Sequence, residues 1–249
     1  MISRRFEVAA LLLAGLGAGF SGQASAQALS CNVPLGVPAP KADGPSASQP
    51  VRRLPTASYT LALSWSPQYC RDKGEDGSFQ CGNSTARFGF VLHGLWPDGA
   101  GKQWPQYCTP ASLLPQKVVR EMLCTTPSAD LLQHEWAKHG TCGWTDPAVY
   151  FGQSRKLYQA LNFPDMLALS RRSDLTVAQF RSEFAQANAT VPGLTAASIR
   201  VRMTKDGWLD ELWLCIDRKM DHARCRSGQQ DSEAGSQQLK IWRGALGRQ

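Results

Sequence analysis

Two short stretches of the 249-residue chain concentrate side chains that can move protons. The first is Phe90-Val91-Leu92-His93-Gly94-Leu95-Trp96-Pro97-Asp98, and the second is His134-Glu135-Trp136-Ala137-Lys138-His139-Gly140-Thr141-Cys142. A lone histidine is more often a satisfied core residue than a functional one. Here, however, three of the four histidines fall in these two stretches, with glutamate and lysine among them. On a helix, Glu135, Lys138 and His139 stand at i, i+3 and i+4 and share one face. That grouping is costly in a core and suits phosphodiester cleavage. A ribose 2′-OH that attacks the adjacent phosphorus must lose a proton, and the departing 5′-oxygen must gain one. Imidazole, which titrates nearest neutral pH, serves both needs. Lys138 offers fixed positive charge to the non-bridging oxygens, and Glu135 can orient the site or donate when protonated. Trp96 alone reads as core, but its place three residues after His93 favours stacking on a base.

A zinc site is the rival reading of His134-Glu135-Trp136-Ala137-Lys138-His139. Zinc proteases place their two histidines at i and i+4. His134 and His139 are five apart and diverge by about 140° around a helix. Lys138 would also stand beside any cation, so no metal and no cofactor is expected.

The elements that position these groups follow from apolar spacing. Tyr59, Leu61, Leu63 and Trp65 alternate along a strand over 56–65, and 88–92 reads as a second, central strand that ends at His93, with Gly94 turning the backbone. Arg71 to Gly77 reads as a loop. Helices are expected over 115–123, over 130–139 with Gly140 as its stop, from the Asp146-Pro147 cap to Leu161, and over 176–187. A hairpin closes the series: Ser198 to Met203, a Lys205-Asp206-Gly207 turn, then Trp208 to Ile216. Strands, helices, then strands imply an α+β fold, a central antiparallel sheet with helices packed on it in a disulfide-stabilised single domain.

The N-terminal segment and the cysteines lead to an expectation of export. Arg4 and Arg5 precede an apolar run from Val8 to Phe20 and then Ala24-Ser25-Ala26, the layout of a secretory signal peptide over 1–26. The run is short of the roughly 20 residues needed to span a bilayer. Residues 27–55 form a Pro/Ala/Ser-rich arm or linker, 56–226 the folded domain, and 227–249 a tail with little pattern before Leu239. All eight cysteines follow the signal segment, without a CxxC pair, so an exported disulfide framework is expected. A lipidated Cys31 fits poorly, because Ala28-Leu29-Ser30 is a weak lipoprotein signal and seven cysteines would remain. The formal charge is +7 and favours polyanionic partners, although basicity alone is weak support. His222, among charged residues near Cys225, reads as ordinary surface.

The two stretches, HGLWPD and HEWAKHGTC, resemble the paired active-site signatures of the ribonuclease T2 family. Trp65 to Cys70, Trp104 to Cys108 and Leu214 to Asp217 resemble further family segments, so the likeness runs from about Tyr59 to Arg226. It implies a secreted or periplasmic, monomeric endoribonuclease acting on single-stranded RNA with low base specificity and without metal. The products pass through a 2′,3′-cyclic phosphate to 3′-phosphate ends. By motif position His93 is the general acid and His139 the general base. Glu135 and Lys138 stabilise the transition state, and His134 binds phosphate. Trp96 and Asp98 match base-site positions, with Trp104 as a second aromatic wall. The resemblance also implies Cys108–Cys142 and Cys215–Cys225. It leaves three pairings for Cys31, Cys70, Cys81 and Cys124, of which Cys70–Cys81 with Cys31–Cys124 is favoured. Plant members carry adjacent cysteines where only Cys81 stands and glutamine where Ser64 stands, which puts the second base site in doubt. Asn83 and Asn188 begin glycosylation sequons. The competing function is a secreted RNA-binding or signalling protein on the same scaffold that needs no turnover.

Overall fold

The computed structural model describes residues 28–73, 78–82, 86–226 and 235–244. The expected signal peptide and the sequon at Asn83 lie outside them. The chain runs β1 (Ala28–Cys31), β2 (Ser58–Trp65), α1 (Ser66–Lys73), β3 (Ala86–Phe88), β4 (Phe90–Asp98), α2 (Gln116–Met122), α3 (Ala129–Lys138), α4 (Pro147–Gln159), α5 (Met166–Leu169), α6 (Val177–Ala187), β5 (Ile199–Met203) and β6 (Leu209–Ile216). β4-β2-β6-β5 form an antiparallel sheet, and β1 pairs with β3 in a two-stranded ribbon.

Period-two alternation gives the sheet two unlike faces. Leu61, Leu63 and Trp65 of β2, with Leu212, Leu214 and Ile216 of β6, point into the core. The helices close over them with Val119, Leu132, Tyr150, Phe180 and Phe184, and each such side chain stabilises by about 1.5–3 kcal/mol on burial. Thr60 and Ser64 of β2, Glu211 and Trp213 of β6 and Arg200 of β5 occupy the alternate positions, on the polar face. The helices begin where their caps dictate. Asp146 accepts from the Ala148 amide with Pro147 at the first turn, and Thr176 makes a reciprocal capping box with Gln179.

Several sequence expectations need correction. β4 does not end at His93; it runs on to Asp98. Leu63 pairs with Leu92 and Ala62 with Gly94, so His93 is the extra residue of a β-bulge, which re-aims one side chain without ending the strand. Gly94 is therefore needed for close approach, not for a turn: a Cβ there would collide with the Glu135 carboxylate. Gly140 likewise follows the α3 cap without a positive φ, and the rings of Trp136 and Tyr150 fill the space a side chain would need. Arg71, Asp72 and Lys73 are helical, because Ser66-Pro67 opens α1 straight from β2. His222 is buried, since the segment after β6 folds back and bridges Ile216 to His222. Asn188 is fully buried and donates to the carbonyls of Phe184 and Asn162, so its sequon is closed.

The described part of the arm, residues 28–55, is extended and pinned. Arg120 donates to the carbonyls of Pro34 and Leu35, and Arg52 bridges Gln106. The disulfides are Cys31–Cys124, Cys70–Cys81, Cys108–Cys142 and Cys215–Cys225. In the tail, Leu239 and Ile241 are buried, and the Trp242 carbonyl accepts from the Trp65 indole.

Candidate active site

β4 is an edge strand, and its outward backbone groups are taken up by side chains from the helical layer. Tyr158 donates to the Phe90 carbonyl at 2.8 Å, and Thr126 to the Leu92 carbonyl at 2.7 Å. The Tyr150 hydroxyl donates to the Leu95 carbonyl at 3.2 Å and accepts from the Leu95 amide at 3.3 Å. These contacts flank the bulge on both sides and fix the exit of His93. α3 supplies the other half of the site. Its start is capped by Ser128, and its end is tied by Cys108–Cys142 to the loop that follows β4.

Strand and helix meet at a cleft of about 810 Å³ whose lining includes His93, Trp96, His134, Glu135, Lys138 and His139. Trp96 stands between the two imidazoles. Its ring centre lies 5.1 Å from that of His93, nearly perpendicular, and 5.4 Å from that of His139, nearly parallel. Its indole N–H donates to Glu135 Oε2 at 2.7 Å. Glu135 Oε1 stands 3.5 Å from His93 Nε2. Asp98 accepts from Thr60 at 2.9 Å at the cleft edge. Trp104, part-exposed, also lines the cleft, with the Arg52 guanidinium 5.2 Å over its ring.

The two histidines sit in opposite electrostatic settings. Burial alone would lower His93, but its hydrogen bond to Glu211 and the charges of Glu135 and Glu211 outweigh burial and the opposing Lys138. The net effect lifts His93 to about 9. His139 is held well below its ordinary value by burial and by the charges of Lys138, His134 and His93. Its Nδ1 is buried with no hydrogen-bond partner among the described residues, so nothing there offsets the burial of an imidazolium. Glu135, enclosed in the same wall, is pushed up by burial to about 7 against the pull of His93, Trp96 and Lys138.

Sequence reasoning missed four contributors. Glu211 Oε1 lies 2.6 Å from His93 Nδ1 and accepts from Ser64 at 2.9 Å, while Oε2 accepts from the Trp213 indole at 2.7 Å. Burial would raise Glu211, but these partners hold it below the usual carboxylate range. Trp213 also packs edge-on against Trp96 at 5.3 Å, and buried Arg200 lines the cleft. Asp43, in the arm, reaches His134 Nδ1 at 2.7 Å. The adjacent acids Asp210 and Glu211 inside the otherwise apolar strand Leu209–Ile216 were the available signal for Glu211; nothing marked Asp43.

The fold built on this four-stranded antiparallel sheet is shared with solved ribonucleases. Trichomaglin, an S-like ribonuclease, superposes with a TM-score of 0.57 at 22% identity, covering 73% of this chain and 96% of that one. RNase NT, solved in complex with 5′-AMP, gives 0.56 at 20% identity, covering 75% and 98%. In sequence, residues 56–225 match the model of the ribonuclease T2 family, and the chain belongs to that family. A ribonuclease of Aeromonas hydrophila is 34% identical over 182 residues, which is 72% of this chain and 80% of the relative. The "Probable ribonuclease" of Haemophilus influenzae is 34% identical over 190 residues, 70% of this chain but only 63% of that protein's length.

Proposed function

We propose that the protein is an endoribonuclease that cleaves single-stranded RNA with low base specificity, through a 2′,3′-cyclic phosphate and then hydrolysis to 3′-phosphate ends. The observation that carries this reading is the opposite setting of two imidazoles packed on one indole. His139, kept neutral, is suited to take the 2′-OH proton as the 2′-oxygen attacks phosphorus. His93, kept protonated, is suited to give its proton to the 5′-oxygen as the P–O5′ bond breaks. In the second step the roles reverse: His93 takes a proton from water and His139 returns one to the 2′-oxygen.

Lys138 and Glu135 face the charge that gathers on the non-bridging oxygens, the latter as a donor when protonated. His134 binds a phosphate, and Trp96, Asp98 and Trp104 form the base-side wall. No step needs a metal or cofactor. Export is supported by the signal-like 1–26 segment and the four disulfides. It is also consistent with a relative described as an extracellular ribonuclease of Solanum lycopersicum, 25% identical over 175 residues.

The test is cleavage of dinucleotides of defined sequence, with and without EDTA, with products weighed. Cyclic phosphate products unaffected by EDTA and absent from 2′-deoxy substrates are expected. Direct formation of 5′-phosphate ends, or loss of activity with chelator, refutes the mechanism.

A further inference from the structure

The segment matched by the family model begins at residue 56, yet the carboxylate bonded to cleft-lining His134 comes from before it. The arm crosses the first turn of α3, where the Lys41 amide donates to Asp130 Oδ1 at 2.8 Å and Lys41 Nζ stands 3.2 Å from Oδ2. Two residues on, Asp43 Oδ2 takes the Nδ1–H of His134 at 2.7 Å and accepts from the Tyr107 hydroxyl at 3.4 Å. Tyr107 is itself held in place: its φ is +50°, and its amide donates to the Lys138 carbonyl at 2.8 Å. Downstream, Arg52 and Gln106 exchange two backbone hydrogen bonds of 2.9 Å, so the arm is fastened on both sides of Asp43.

We propose that Asp43 is a positioning residue for His134, fixing the ring through Nδ1 so that Nε2 is the nitrogen offered to a phosphate in the cleft. The proposal rests on the phosphate-binding role given to His134 above. A histidine that donates through both nitrogens must carry a proton on each, and a carboxylate on Nδ1 favours that state. The groups that face His134 are Asp43, Tyr107, Lys138, His139 and His93. Burial and Lys138 pull His134 below its ordinary value, and Asp43 is the group that opposes them. The arm thus completes a site that the family segment leaves without this carboxylate.

The experiment follows the ring signals of His134 by NMR in the full chain as pH is changed, with inorganic phosphate as the probe. Asp43→Asn, nearly isosteric, is expected to lower the His134 midpoint by about one pH unit. It should also weaken phosphate several-fold and raise KM for RNA more than it lowers kcat. Tyr107→Phe removes the competing donor and should move the midpoint the other way. Weaker phosphate binding with an unmoved His134 midpoint, or the same direction of shift in both variants, overturns the proposal. The titration needs no RNA, so a wild-type protein that fails to cleave RNA counts against the ribonuclease reading alone.

Discussion

Removing the charge of Glu211 while keeping its shape tests the acid role proposed for His93. His93 stands at about 9 against an ordinary value of 6.5, a difference worth roughly 3 kcal/mol at 1.36 kcal/mol per pH unit. Glu135 remains in Glu211→Gln and sustains part of this, so a fall of roughly one to two pH units is expected. The sign is fixed by the role. An acid works only while protonated, so the alkaline limb that His93 sets lies near 9 in the wild type, above any limb that Glu135 sets near 7, and in the variant the His93 limb comes earlier. At pH 8 the protonated fraction, and with it kcat/KM, falls roughly two- to tenfold, while near pH 6 it changes little. Stability gives an independent readout. The ion pair stabilises the fold fully below the unfolded value of 6.5, and this is lost as pH rises through 9. Melting temperature should therefore decline over that window in the wild type and more weakly in the variant. An unmoved alkaline limb in kcat/KM, or an equal loss at every pH, would refute the reasoning.

His93→Ala and His139→Ala should each lower RNA cleavage about 10²–10⁴-fold in a gel or fluorogenic assay, with the fold intact by circular dichroism. Gly94→Ala should destabilise by about 1–3 kcal/mol in urea melts and depress activity, because the new methyl displaces the Glu135 carboxylate. His222, buried and lowered to about 4 mainly by desolvation, should destabilise the fold as pH falls from 6.5 towards 4. His222→Gln should flatten that slope in thermal melts. Replacing both Cys31 and Cys124 by Ser opens a loop of 93 residues and should cost about 4.6 kcal/mol by chain entropy, read as a lower midpoint in guanidinium.

Where one physical rule acted alone, the sequence was readable. Asp146-Pro147 announced its helix because capping is local, and the alternation from Tyr59 to Trp65 announced β2. The catalytic candidates of HGLWPD and HEWAKHGTC were readable because titratable residues rarely cluster in apolar stretches. The bulge at His93 was not, since register is decided between strands and β2 carries no trace of it. Glycines misled for a related reason: Gly94 and Gly140 look like turn residues, but each answers to a ring or carboxylate brought from elsewhere. The arm near Asp43 has no periodicity to read, because its order comes from hydrogen bonds to α3 and Gln106, not from an apolar face.

The indole of Trp96 has a consequence for how such a protein can change. Both imidazoles lean on the one indole, and its N–H is tied to the Glu135 carboxylate. Neither imidazole can be retuned by shifting that wall without disturbing the other. Adjustments of pH response are therefore steered outward, to Glu211 behind one ring and to the buried Nδ1 side of the other, where a substitution reaches one imidazole directly and not both.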